Sequence, residues 1–168
     1  MNLTDMKHYK SRDWNFALDI PKRWNSFPAV HINSPYEVIR FASREDGIHV
    51  LIIFREPNDP KRPLNERADR VQKLLASKGF SNFARAEAMI QAKPILMLDF
   101  DRPHNDESLP LILEDDRYVQ RPDLLWSCRH YFLAADTLGY TLGFGTTNKG
   151  AMFEVFDRMA KTFEIIPD

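Results

Sequence analysis

Cys128 and His130 stand two residues apart in the apolar run WSCRHYFLAA, a spacing that puts a thiol and an imidazole on one face of an extended strand. A thiol acts as a nucleophile only when a base or a positive charge holds it as thiolate. Strand alternation points these two side chains the same way but not at each other, so the pair reads as a small buried hydrophobe beside a satisfied core histidine. A second group, Asp99, Asp101, His104, Asp106 and Glu107, offers hard oxygen ligands and one imidazole, the donor set of a metal-assisted hydrolase. Its spacing matches no EF-hand loop, and no two histidines lie four apart as zinc-binding helices require. It reads instead as a solvated acidic strand end. Gly139, Gly143 and Gly145 fall inside a strand hairpin and open no helix, which excludes a dinucleotide fingerprint. They mark a bend, or a close approach of the closing helix to the sheet. With no nucleophile elbow either, the chain is expected to be non-catalytic, with no cofactor and no resident metal.

One segment carries composition suited to binding. Between Arg102 and Asp123 lie three prolines and the run Leu111, Ile112, Leu113, Glu114, Asp115, Asp116, Arg117. An ordinary connection has ~4–6 residues, so this one is either a binding loop or an excursion. An apolar triplet rimmed by charge is the composition of a partner-docking patch, and these seven residues are the candidate partner-binding site. The alternatives are an insertion that touches nothing and an extra edge strand or short helix of the core.

The elements that position these groups follow from periodicity. In WNFALDIPKRW, Trp14, Phe16, Leu18 and Ile20 alternate as the buried face of an opening strand, Pro21 ends it and Trp24 anchors the turn. On that pattern Trp14 belongs in the core. NSFPAVHINSPY reads as a loop crossing the sheet edge. YEVIRFA and IHVLIIF flank SREDG as a hairpin, and the unbroken apolar stretch Val50–Phe54 requires cover on both faces. Leu64–Lys78 is a helix with Leu64, Ala68, Val71 and Leu75 on one stripe, widened by Leu74 and stopped by Gly79. Phe83–Ala92 alternates alanines with charged residues, Lys93-Pro94 turns into ILMLDFD, and WSCRHYFLAA with YTLGFG makes a second hairpin. A last helix, capped by Thr147 or Asn148, repeats Met152, Val155, Phe156, Met159 and Phe163 at helical spacing.

Two one-sided helices and a run of antiparallel strands resolve into an α+β fold: an antiparallel β-sheet sandwiched between helices, an α/β/α sandwich formed by a single domain spanning 1–168. The length suits one core, and the net charge of -1 provides no field for nucleic acid. A single cysteine excludes an intrachain disulfide, and the polar first residues show neither a signal peptide nor a membrane anchor. The expectation is a cytoplasmic protein, monomer or weak homodimer, that binds neither nucleic acid nor membrane.

The strand ending Leu18-Asp19-Ile20-Pro21 with Trp24 close behind, then hairpin, helix, antiparallel strands and a closing helix ending Phe163-Glu164-Ile165, resembles the PsbP/Mog1-like fold family from about Asp13 to Ile165. That resemblance implies the α/β/α sandwich and a role in docking onto a protein partner, as in a photosystem extrinsic subunit, a small-GTPase-binding protein and bacterial adaptors for secretion effectors. The primary expectation is therefore a non-catalytic protein-binding module, adaptor or assembly factor. The alternative is a small-ligand binder with a pocket between sheet and helix, lined by Trp126, Tyr131 and Phe144.

Overall fold

The computed structural model describes residues 5–31, 34–102, 112–114, 117–119 and 125–167. Their elements run β1 (Met6–Ser11), β2 (Phe16–Pro21), β3 (Asn25–Pro28), β4 (Glu37–Ser43), β5 (His49–Pro57), α1 (Leu64–Ser77), β6 (Ser81–Ile90) and β7 (Lys93–Asp101). There follow β8 (Ile112–Glu114), β9 (Arg117–Val119), β10 (Ser127–Ala135), β11 (Leu138–Thr146), α2 (Lys149–Lys161) and β12 (Glu164–Ile165). A seven-stranded antiparallel sheet has the order β3-β4-β5-β11-β10-β7-β6, and β1-β2-β12 form a second, three-stranded sheet.

The main sheet is covered on both faces. On one, Leu51, Ile53, Leu142 and Phe144 pack with Phe16, Leu18 and Ile20 of β2 and with Met152, Val155, Phe156 and Met159 of α2. On the other, Leu96, Leu98, Phe100 and Phe132 pack against Ala68, Leu64, Val71 and Leu75 of α1. The alternation of β5 serves both layers, as its unbroken apolar run requires. Arg67 of α1 donates to the carbonyls of Leu133 and Tyr140 at 2.6 and 3.1 Å, which ties that helix to the β10–β11 hairpin. The chain stops α1 at Gly79, whose φ of +90° only glycine adopts without strain.

Several local expectations are corrected. β2 is not the opening strand, because β1 precedes it and pairs along its length. Trp14 lies outside β2 and is 43% exposed, its ring under the Arg55 guanidinium at 5.4 Å. Asn15 at φ +58° breaks the extended run between Trp14 and Phe16, so the alternation of types continued past the alternation of faces. The segment read as an edge loop contains β3, paired with β4. One flanking layer is a helix plus a small sheet rather than helix alone. Among the described residues no helix is long and apolar enough to cross a membrane.

Candidate functional site

α1 covers only part of its face of the sheet, over β7 and β10, and beside it lies a partly open cavity of about 400 Å³. Its floor is the alternate set Val50, Ile52 and Phe54 of β5 with Thr141, Gly143 and Gly145 of β11. Val71, Leu74 and Leu75 of α1 form one wall, and Phe80, Phe100 and Trp126 close one end. Leu74, the residue that widens the helical stripe, is half exposed here because it stands at the mouth rather than against the sheet.

The glycines make room for rings. A Cβ at Gly143 would lie 3.0 Å from His130 Nε2 and 3.2 Å from the Phe54 ring, and one at Gly145 would lie 3.3 Å from the Trp126 ring. The close approach to β11 at Gly143 and Gly145 is therefore made by aromatic side chains on the α1 side, and not by the closing helix, one of the two readings the sequence left open.

At the end opposite Trp126, Glu37 and Arg40 form a buried ion pair, with Arg40 Nη2 donating to Glu37 Oε2 at 3.0 Å and Nε to Oε1. Residues three apart on a regular strand face opposite ways. A bulge between Glu37 and Ile39 shifts the register so that Glu37 opposes Phe54 and Arg40 opposes Ile52, which brings both into the cavity. Arg70 reaches both Glu56 oxygens at 2.8 Å. Lys78, exposed at the mouth, makes no ion pair among the described residues.

Cys128 and His130 both line this cavity, as the strand alternation predicted. Burial pushes the Cys128 thiol up to about 12 and the His130 imidazole down to about 4. Thiolate and imidazolium are both disfavoured, the reverse of what nucleophilic chemistry needs. His130 is not the satisfied core histidine expected: its ring sits edge-on to Phe100 at 4.9 Å, and Nδ1 has no hydrogen-bond partner among the described residues. This sets a pH dependence. The folded-state value lies below the ordinary 6.5, so the unfolded chain binds the proton first and stability falls as pH drops from 6.5 toward 4. The full loss is about 3 kcal/mol. Urea midpoints for His130→Phe are expected to fall less than wild type over that interval; equal slopes would show that His130 titrates normally.

Other predicted groups are dispersed. Asp99 accepts from Arg129 Nε and Nη2 at 2.7 and 2.8 Å, and Asp101 accepts from Asn82 at 2.8 Å. His104, Asp106 and Glu107 lie outside the described residues, among which no group of three metal-ligating side chains occurs. Of the predicted pocket aromatics, Trp126 lines the cavity and Phe144 borders it while its ring stacks on Phe156. Tyr131 faces α2 instead, its hydroxyl donating to Asp157. Ile112, Leu113 and Glu114 form β8 and Arg117 begins β9, a two-stranded sheet separate from the seven-stranded one. Leu111, Asp115 and Asp116 lie outside the described residues. The connection holding them leaves and rejoins the fold at this cavity, where Arg102 N–H donates to the Trp126 carbonyl at 3.0 Å and both residues line the wall.

No family model matches the sequence, and no curated protein matches it significantly. Solved structures do match. The cyanobacterial PsbP (CyanoP) of Synechocystis sp. PCC 6803 superposes with a TM-score of 0.65 over 96% of this chain and 92% of its own, at 12% identity. The fold is PsbP-like. PA94 of Pseudomonas aeruginosa, a protein of unknown function, shares this PsbP-like architecture over 98% of this chain and 99% of its own, with TM-score 0.56 and 15% identity. LpqN of Mycobacterium tuberculosis, involved in cell envelope biogenesis, matches over 90% of this chain and 83% of its own, with TM-score 0.54 and 8% identity. At such identities the likeness is one of fold, and function has to be argued from the site.

Proposed function

We propose that this chain is a non-catalytic binding module that takes a ligand with an apolar body into the cavity between α1 and the seven-stranded sheet. The observation behind it is the cavity itself: about 400 Å³ of space walled largely by aliphatic and aromatic side chains between α1 and the sheet. That volume falls in the ~300–1,000 Å³ range of small-molecule sites. Glu37 pairs with Arg40 and Glu56 with Arg70, and Lys78 at the mouth favours an anionic group on the ligand. Cys128 and His130 supply apolar wall rather than chemistry.

Titration with anilinonaphthalene sulfonate, an anionic aromatic dye, tests this reading. Saturable single-site binding is expected, weakened by about tenfold or more in Leu74→Glu, a change at a half-exposed position that leaves the fold intact. Absent saturation, or equal affinity in the variant, would remove the cavity as a binding site.

A second reading is a protein-binding adaptor that acts through Leu111, Ile112, Leu113, Glu114, Asp115, Asp116 and Arg117. It is favoured by the Arg102–Trp126 hydrogen bond, which anchors both ends of that connection at the cavity wall. In that case serine at Leu111, Ile112 and Leu113 would abolish retention of a partner and leave dye affinity unchanged.

A further inference from the structure

β6 is the terminal strand of the seven-stranded sheet, and it is ten residues long. Its inner edge pairs with β7, and its outer edge has no strand neighbour among the described residues. An uncovered row of backbone donors and acceptors is a template for another strand, and sheets normally blunt it with short strands, proline or lysine. The opposite edge follows that rule, since β3 has four residues and ends in Pro28. β6, with sequence SNFARAEAMI, carries neither proline nor lysine, and its one irregularity, between Ser81 and Ala84, leaves Ala84–Ile90 in regular register with β7. Ala84, Arg85, Ala86, Glu87 and Met89 are all exposed on it.

We propose that two copies of this chain pair through β6, antiparallel about a two-fold axis at Ala86, to make one continuous sheet. The strand is self-complementary in that register. Arg85 faces Glu87 of the second copy and Glu87 faces its Arg85, while Phe83 meets Met89 and Ala84 meets Ala88. Shifting the centre by one residue either way sets Arg85 against Arg85 or Glu87 against Glu87, and half-residue shifts set each charge against alanine. Opposite charges across an antiparallel pair stabilise it, and like charges destabilise it. Glu87 has no ion-pair partner within its own copy among the described residues, whereas Arg85 is held by α1 on the surface, Nη1 pairing with Asp69 at 2.6 Å and Nε and Nη2 donating to Gln72 Oε1 at 3.0 and 2.8 Å, contacts it would share with Glu87 of the second copy. The second copy thus supplies the cation that Glu87 lacks. On the α2 side the facing positions are alanines, which adds no bulk between copies.

Sedimentation equilibrium of the full chain tests the pairing. A monomer–dimer equilibrium is expected, with Kd on the order of tens of micromolar for a small contact of this kind. Arg85→Glu and Glu87→Arg should each weaken it by about tenfold or more, and the double swap Arg85→Glu/Glu87→Arg should restore it. Circular dichroism confirms that each variant is folded, which exposed charge changes allow. A wild-type chain that stays monomeric at about ten times that concentration overturns the proposal, as does a dimer indifferent to the single reversals.

Discussion

Glu37→Ala is expected to lower the unfolding free energy by about 3–5 kcal/mol, because it breaks a buried ion pair that Glu37 makes through both carboxylate oxygens. Both residues are nearly inaccessible, at 3% and 4% exposure. Glu37 also accepts from the Val30 N–H at 3.1 Å, and its carbonyl meets His31 Nε2 at 2.9 Å, so the loss reaches the segment entering β4. A buried pair is not itself strong evidence of net stabilisation, since desolvation offsets most of the attraction. The double replacement Glu37→Leu/Arg40→Met should accordingly sit within about 1 kcal/mol of wild type or above it. Urea denaturation of the three proteins decides this. A single variant that loses less than about 1 kcal/mol would mean that the Arg40 guanidinium is compensated without Glu37.

Trp24→Ala should cost a comparable amount, about 3–5 kcal/mol, by leaving a cavity the core cannot close. The Trp24 ring is fully buried and lies parallel to the His49 ring with centroids 6.2 Å apart. Its backbone is fixed as well, with the N–H donating to the Pro21 carbonyl at 3.0 Å and the carbonyl accepting from Lys7 Nζ at 2.6 Å. Neighbours held on both sides cannot move into the space. The indole N–H has no hydrogen-bond partner among the described residues, so Trp24→Phe removes an unsatisfied donor as well as volume and should cost markedly less than alanine. Thermal unfolding followed by circular dichroism checks the order, and a small loss in Trp24→Ala would show that β1 and β3 collapse onto the vacated site.

The contrast between the two tryptophans of WNFALDIPKRW shows where sequence pattern stops. Trp14 and Trp24 are of one type and both flank the same strand, yet one is at the surface and the other at the centre. Residue type reports what can be buried, whereas φ at Asn15 decides where the strand starts. The Glu37–Arg40 pair was illegible for a similar reason. Three residues apart, the two read as opposite faces of a strand, and only a bulge that nothing in YEVIRFA announces sets them side by side. The edge position of β6 was equally hidden, since strand order in a sheet depends on contacts far apart in the chain.

What the sequence determined by itself is local: the two amphipathic helices, the hairpins around SREDG and Asp136–Gly139, the stop at Gly79, and an order of elements that resembles the PsbP/Mog1-like pattern. These follow from periodicity and turn chemistry, which act over a few residues. The tertiary structure alone decided which face each glycine of β11 serves, that α1 leaves part of the sheet uncovered, and that Cys128, His130, Trp126 and the Glu37–Arg40 pair surround one cavity. Those facts depend on register and on how far a helix reaches across a sheet, and both are set by packing between residues distant in sequence.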